Sequence, residues 1–349
     1  MKNDLILSMR WYGINDRVSL RQIAQIPQMR GVVTALHDIP AGEVWDVSRL
    51  QHVKKKIENS GLKLVVIESI PAHEDIKTGQ PTRDQYIEAY CQSIRNLGAC
   101  GVPVLTYNFM PIFDWMRTDL EFILPDGSTC LSYIDAALER IDLSQGTGDL
   151  PGWGAAYSQQ QLQSLRNQYE GIDEEGLWKN LEYFLKAVVP VAEEANVKLA
   201  IHPDDPPWSI FGLPRIITSE ASLKRLCSIV DSPANGICFC TGSLGAEPSN
   251  NVVKMARNLA SRIHYVHARN VRVTGHRCFY ETSHSDPLGS VDLPAFMKVL
   301  SEIGYSGAIR PDHGRMIWGE EGRAGYGLYD RALGAAYLWG LWDAHSRKP

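Results

Sequence analysis

The chain has 349 residues, a net charge of −5 and no run of basic residues, which disfavours nucleic acid and anionic membranes as partners. No stretch approaches the roughly 18 consecutive apolar residues of a membrane span, and the N-terminus lacks the apolar core of a signal peptide. Its seven cysteines show no framework spacing, so we expect free thiols and a cytoplasmic protein.

Short apolar runs predict buried strands, and amphipathic stretches between them predict helices. The predicted strands span residues 5–9, 31–36, 62–68, 102–108, 197–202, 236–240, 263–267 and 307–310. Capping-box patterns at Ser48 and Thr82 predict two helix starts, and further helices are predicted over 173–196, 292–303 and 327–345. Eight alternations of strand and helix predict an α/β protein, a (β/α)₈ TIM barrel, with residues 1–349 forming one domain.

The interval 109–172 breaks this alternation after the fourth predicted strand. It contains Pro-Asp-Gly at 125–127 and Pro-Gly-Trp at 151–153. An insertion of this length in a compact barrel is usually functional, so we expect a lid over the active face. The last stretch, 327–349, is predicted to form a C-terminal helix that closes the barrel or packs on a partner subunit. We therefore expect a homo-oligomer, in the simplest case a dimer.

Four residues that can bind a metal stand where predicted strands end: His202, Cys240, His267 and Asp312. Any one of them alone would be an ordinary core or loop residue. The carboxyl ends of barrel strands meet at one face, however, so four such residues should converge there. Two imidazoles, a thiolate and a carboxylate suit Zn²⁺, Fe²⁺ or Mn²⁺ better than Mg²⁺. Ligands from separate strands favour a catalytic metal over a structural one.

Cationic and hydrogen-bonding side chains cluster near the same strand ends. The candidates for substrate binding are Arg10, Trp11, His73, Asn108, Arg269 and Asn270. Arginines in an acidic protein suggest an anionic substrate, because guanidinium pairs with carboxylate in a bidentate way. The alternative is that they pair with acids of the chain such as Asp205. His313 and Tyr326 are the candidates for proton transfer, although Tyr326 could equally be an aromatic residue packed on the barrel rim.

Several longer segments resemble the mannonate dehydratase family. They are Arg-Trp-Tyr-Gly at 10–13, Ile-Glu-Ser-Ile-Pro at 67–71, Tyr-Asn-Phe-Met-Pro at 107–111, Ile-His-Pro-Asp-Asp-Pro-Pro at 201–207, His-Ala-Arg-Asn at 267–270, Arg-Pro-Asp-His-Gly-Arg at 310–315 and Gly-Tyr-Gly-Leu-Tyr-Asp at 325–330. The resemblance runs through nearly the whole chain. It implies a xylose-isomerase-like barrel that removes water from D-mannonate, giving 2-keto-3-deoxy-D-gluconate during hexuronate (glucuronate) catabolism.

The resemblance also implies a metal and a catalytic pair. It implies Mn²⁺, or Fe²⁺, bound by the residues His202, Cys240, His267 and Asp312. It further implies that His313 and Tyr326 are the acid/base pair. One must take the proton from C2 and the other must protonate the hydroxyl leaving C3, and either assignment is open. The metal and the arginines would stabilise the doubly negative intermediate.

Three other functions are alternatives to a sugar-acid dehydratase. An isomerase or epimerase of free sugars would tend to use a catalytic lysine, and no lysine stands at these predicted strand ends. A metal-binding sensor or scaffold without turnover would leave His313 and Tyr326 without a role. An endonuclease of related fold is disfavoured by the acidic charge.

Overall fold

The computed structural model describes residues 5–141, 143 and 157–346. The strands in this part of the chain are β1 (Ile6–Arg10), β2 (Gly31–Thr34), β3 (Lys63–Glu68), β4 (Val104–Tyr107), β5 (Asp119–Ile123), β6 (Thr129–Ile134), β7 (Lys198–Ile201), β8 (Asn235–Cys240), β9 (Ile263–Ala268), β10 (Asn270–Gly275), β11 (Cys278–Thr282) and β12 (Ala308–Pro311). Eight of them form a closed parallel barrel in the order β1-β12-β9-β8-β7-β4-β3-β2. The predicted (β/α)₈ barrel is confirmed, and every predicted strand bound agrees within two residues.

The barrel strands are apolar because both of their faces are buried. Every residue of β8 and β9 is buried, as is usual for strands covered by helices on the outside. Side chains that include Val66, Cys238 and Tyr265 pack together as the barrel interior, so the predicted interior position of Cys238 is confirmed. His264 points away from this interior, and its Nδ1 lies 2.9 Å from the carbonyl oxygen of Leu199.

Helices surround the barrel, and none in the described ranges is long and apolar enough to span a membrane. They are α1 (Leu20–Ala24), α2 (Val47–Glu58), α3 (Glu74–Thr78), α4 (Arg83–Ala99), α5 (Gln159–Gln168), α6 (Glu174–Glu194), α7 (Glu220–Ile229), α8 (Thr241–Gly245), α9 (Val252–Asn258), α10 (Leu293–Glu302) and α11 (Tyr329–Ser346). Helix α6 buries an apolar stripe at helical spacing, including Leu177, Leu181 and Val188. This stripe attaches the helix to the barrel wall.

The two predicted capping boxes are wrong, because neither Ser48 nor Thr82 caps its helix. The two predicted helices themselves are present as α2 and α4. Helix α2 begins after Asp46, so Ser48 lies inside its first turn. Thr82 does precede α4, but its side chain makes no capping bond; its hydroxyl contacts the carboxylate of Asp75 instead. At Thr82, the contact with Asp75 thus took precedence over the local capping pattern.

A second sheet stands beside the barrel, with the antiparallel order β10-β11-β6-β5. Strands β5 and β6 come from the 109–172 insertion, and β10 and β11 form a hairpin that follows β9 directly. The two hairpins join through β6 and β11, where Tyr133 pairs with Phe279. A role of the insertion as a lid stays a prediction, and its Pro-Gly-Trp at 151–153 lies outside the described residues.

The predicted C-terminal helix is α11, and it packs against β12 and α10. Ala335, Leu338 and Trp342 bury its inner side. Arg331 is fully buried, and its Nη1 donates to the carbonyl oxygen of Arg10 at 3.2 Å. The helix is therefore tied to the first strand of the barrel. Contact of α11 with a partner subunit stays a prediction.

Candidate active site

The four predicted metal ligands lie together at the carboxyl ends of four neighbouring barrel strands. His202 follows β7, Cys240 ends β8, His267 lies near the end of β9 and Asp312 follows β12. The ligand atoms of the two histidines and the cysteine all lie within 4.8 Å of one another. Asp312 Oδ2 lies 3.6 Å from His267 Nδ1 and 3.8 Å from Cys240 Sγ. The four side chains thus form a candidate metal site; that they bind a metal stays a prediction.

Both histidines are held by outer partners through the ring nitrogen that faces away from the cluster. His202 Nδ1 lies 2.6 Å from the carbonyl oxygen of Pro203. His267 Nε2 lies 3.0 Å from Glu68 Oε2. Their other nitrogens, Nε2 and Nδ1, face each other at 3.1 Å. Metal-binding histidines are usually oriented by a carbonyl or carboxylate in this way.

The charges of the cluster also fit a cation. Burial disfavours a thiolate, yet the Arg269 guanidinium and the His202 ring hold the pKa of the Cys240 thiol well below its ordinary value. Burial also opposes a charged His202, but the Cys240 thiolate raises the pKa of His202 to about 9. The neighbours of Cys240 thus favour its thiolate, and thiolate and neutral imidazole are the forms that bind metals.

Asp312 also belongs to a continuous set of alternating guanidinium and carboxylate groups, which we term the ion network. Its members are Arg10, Glu68, Arg310, Asp312, Arg269, Asp205, Glu281 and Arg117. Arg310 Nη2 bridges Glu68 Oε1 at 2.8 Å and Asp312 Oδ1 at 2.7 Å. Four cations match four anions, so the network carries no net charge. Buried charges need such pairing, because an isolated one is costly to desolvate.

His313 stands between Glu281 and Tyr326. Its Nδ1 lies 2.9 Å from Glu281 Oε1, and its Nε2 lies 2.8 Å from Tyr326 Oη. Burial favours a neutral acid, but Arg269 and other cationic neighbours lower the pKa of Glu281 to about 2. Glu281 is thus a carboxylate that accepts from His313 Nδ1, which leaves Nε2 to accept from Tyr326. Burial and the neighbouring Tyr12 raise the pKa of the Tyr326 phenol well above its ordinary value, so it stays protonated at neutral pH.

A cavity of about 800 Å³ opens onto these groups, a size common among small-molecule sites. The predicted residues that line it are Arg10, His73, Asn108, His202, His267, Asp312, His313 and Tyr326. Aromatic rings flank the last two: Trp115 lies 5.3 Å from the His313 ring and Tyr12 lies 5.0 Å from the Tyr326 ring. A molecule bound in this cavity would therefore contact both the candidate metal site and the candidate proton-transfer pair.

Three predicted substrate contacts of the chain lie away from the cavity. Arg269 is fully buried and forms ion pairs with Asp205, Glu281 and Asp312. Its placement matches the alternative, in which the arginine pairs with acids of the chain. Trp11 is buried in the hydrophobic core. Asn270 braces a loop, its Oδ1 accepting from the amide of Val291 at 3.1 Å.

Several residues at the site were not predicted from the sequence. Glu68, at the end of β3, could have been found by the strand-end rule that selected the four ligands. Glu281 and Arg117 could not, because their partners are distant in the sequence and their own segments gave no strand signal. Lys77 also lines the cavity, with its Nζ 2.6 Å from Glu74 Oε1. It comes from helix α3 rather than from a strand end.

Comparisons with known proteins agree on one family. A family model described as D-mannonate dehydratase (UxuA) matches residues 5–349. "Mannonate dehydratase 2" of Halalkalibacterium halodurans is 52% identical over 342 residues, covering 97% of this chain and 99% of the relative. "Mannonate dehydratase" of Streptococcus agalactiae is 52% identical over 340 residues, covering 97% and 98%.

Solved structures give the same result. The crystal structure of mannonate dehydratase from Streptococcus suis superposes with a TM-score of 0.91 at 48% identity, covering 98% of this chain and 95% of that one. A xylose isomerase domain protein from Planctomyces limnophilus superposes with a TM-score of 0.57 at 13% identity, covering 99% of both chains. The second likeness shows the xylose-isomerase-like barrel fold alone.

Proposed function

The chain belongs to the mannonate dehydratase family, whose reaction is the removal of water from D-mannonate, and on this premise we propose which residues perform the reaction. His202, Cys240, His267 and Asp312 hold a divalent metal, Mn²⁺ or Fe²⁺. His313 and Tyr326 transfer the protons. The observation that carries this assignment is the 2.8 Å contact between His313 Nε2 and Tyr326 Oη, in the wall of the cavity that His202, His267 and Asp312 also line.

Two features indicate which group takes a proton and which gives one. They are the contact of His313 with Glu281 and the burial of Tyr326. Glu281 accepts from Nδ1 of His313, so Nε2 is the unprotonated nitrogen: it accepts from Tyr326 in the structure and takes the proton from C2 when the substrate is bound. Tyr326 keeps its proton at neutral pH and gives it to the hydroxyl that leaves C3. The protonated His313 then returns a proton to Tyr326 across their hydrogen bond, which resets both groups. The enol formed by this elimination rearranges to 2-keto-3-deoxy-D-gluconate.

Because His313 and Tyr326 are adjacent, the C2–H and C3–O bonds break on the same face of the substrate. The rings of Trp115 and Tyr12 pack against His313 and Tyr326 and give the cavity wall beside them an apolar surface. The ion network is neutral, so a divalent metal held by the four ligands would supply the positive charge that favours a doubly negative carboxylate. Arg323 lies outside this network, lines the same cavity and adds positive charge that favours an anionic substrate.

The direct test is to incubate the purified protein with D-mannonate and to assay for a 2-keto-3-deoxy acid. Product is expected with Mn²⁺ or Fe²⁺ and should disappear after treatment with a chelator. A parallel incubation with D-gluconate, which differs at C2, reports whether the site selects the configuration of the abstracted proton. Absence of product from D-mannonate with either metal would contradict the assignment.

A cytoplasmic location and a homodimer stay predictions from the sequence. Light scattering coupled to size-exclusion chromatography tests the second: a species of twice the 39.0 kDa chain mass is expected, and a monomer at micromolar concentration would contradict it.

A further inference from the structure

We propose that Glu281 is a positioning residue for the dehydration, acting through His313: it holds the imidazole ring so that Nε2 faces the substrate in its proton-accepting form. This inference rests on the proposed role of His313 as the group that takes the C2 proton. It adds a residue from the second sheet, outside the barrel strands, to the machinery of the reaction.

The first support is the geometry around the Glu281 carboxylate. Glu281 lies in β11 and is fully buried. Its Oε1 accepts from His313 Nδ1 at 2.9 Å and from Arg117 Nη2 at 2.7 Å. Arg269 Nη1 donates to the same oxygen. A carboxylate oxygen that already accepts from two guanidinium groups serves as an acceptor, so the His313 nitrogen that faces it carries the proton.

The second support is that Glu281 cannot easily move. Its strand lies between β10 and β6, with Glu281 paired to Val271 in register. Arg117, on the other side, is anchored by its Nη1 to Asp205 Oδ1 at 2.8 Å and to the carbonyl oxygen of Met116 at 2.8 Å. The carboxylate is thus fixed by the barrel and by the second sheet together. A fixed acceptor holds the ring plane and the tautomer of the histidine.

The third support is that pairing with arginines alone does not explain Glu281. Asp205 already contacts both Arg117 and Arg269, and Arg269 has Asp312 as a further partner. Glu281 is the acid that also contacts the proton-transfer histidine on the side away from Tyr326. The order Glu281–His313–Tyr326 matches the general logic in which a carboxylate orients the base that serves a reacting group.

The test compares Glu281→Gln with the parent enzyme loaded with Mn²⁺. The amide keeps the shape of the side chain and can still accept from Nδ1 through its oxygen, but it loses the negative charge that holds the ring in its Nδ1–H form and stabilises the imidazolium formed when Nε2 takes the C2 proton. We expect kcat per bound metal to fall by roughly 10²-fold or more, with KM for D-mannonate and the metal content close to those of the parent. Glu121→Gln makes the same change at an exposed position of the second sheet and should behave like the parent.

Two further variants distinguish the positioning role of Glu281 from a merely structural role. Glu281→Gln leaves an unmatched buried cation, so Glu281→Gln with Arg117→Gln restores the charge balance and is the variant to assay if the single one does not fold; it should show the same loss of kcat. In a His313→Asn background, Glu281→Gln should lower the residual rate less than about threefold, because its effect requires the histidine.

Each outcome decides the question. A kcat within about threefold of the parent in Glu281→Gln, or an equal further loss in the His313→Asn background, overturns the proposal. Full activity of His313→Asn itself would instead refute the proposed role of His313. An inactive His313→Asn beside a normal Glu281→Gln would refute the positioning role alone.

Discussion

Replacing Arg269 by methionine should destabilise the protein strongly, because this residue holds the ion network together. The side chain is fully buried and forms ion pairs with Asp205, Glu281 and Asp312. Removing one partner of a buried ion pair costs about 3–5 kcal/mol. With an unfolding entropy of roughly 2.1 cal/mol/K per residue, a chain of 349 residues should then lose ~4–7 °C in its thermal midpoint.

Scanning calorimetry and steady-state kinetics on the same preparation test this expectation. The matched variant is Arg323→Met, since Arg323 is exposed, lines the cavity and lies with its guanidinium 4.2 Å from the Tyr12 ring. It should leave the midpoint nearly unchanged and raise KM for D-mannonate up to ~10-fold through loss of a charged contact. If Arg269→Met kept the parental midpoint while raising KM, Arg269 would bind substrate after all and the structural role would be refuted.

Three further variants test the site itself. Cys240→Ala should lose bound Mn²⁺ in elemental analysis, because the thiolate is one of four ligands; full metal content would count against the ligand set. Tyr326→Phe should lower kcat by about 10²- to 10⁴-fold with metal content intact, since it removes the proposed proton donor; near-normal turnover would rule that role out. Glu68→Gln should weaken metal affinity by roughly 10- to 100-fold in a chelator competition, because Glu68 orients His267; an unchanged affinity would show that the contact is dispensable.

The barrel was predictable because its strands are unusual in composition. Runs such as Gly236–Cys240 are apolar on both faces, whereas the segments between these runs repeat their apolar residues at helical spacing. The ligand residues followed from topology, since parallel strands place all their carboxyl ends on one face. Neither inference required knowledge of contacts between distant residues.

The second sheet and the ion network were not predictable in the same way. Strand β5 alternates between exposed and half-buried residues, and its strand partner is β6 of the same insertion. The pairing of β6 with β11 joins segments nearly 150 residues apart. For Arg269, its sequence position beside a ligand suggested substrate binding, whereas its contacts depend on Asp205 and Glu281, which no local pattern brings near it.

The pairing of β1 with β12 has a consequence for biosynthesis. Ile6 lies opposite Ala308 in the barrel. During synthesis β1 therefore cannot form this pairing until β12, the last barrel strand, has been made. Until then a nascent chain holds a sheet with two open edges, which are prone to pair with other chains. Asp312, His313 and Tyr326 follow β12, so closure of the barrel and completion of the reactive centre depend on the same late segment. A translation product stopped before this segment would be both inactive and prone to aggregate.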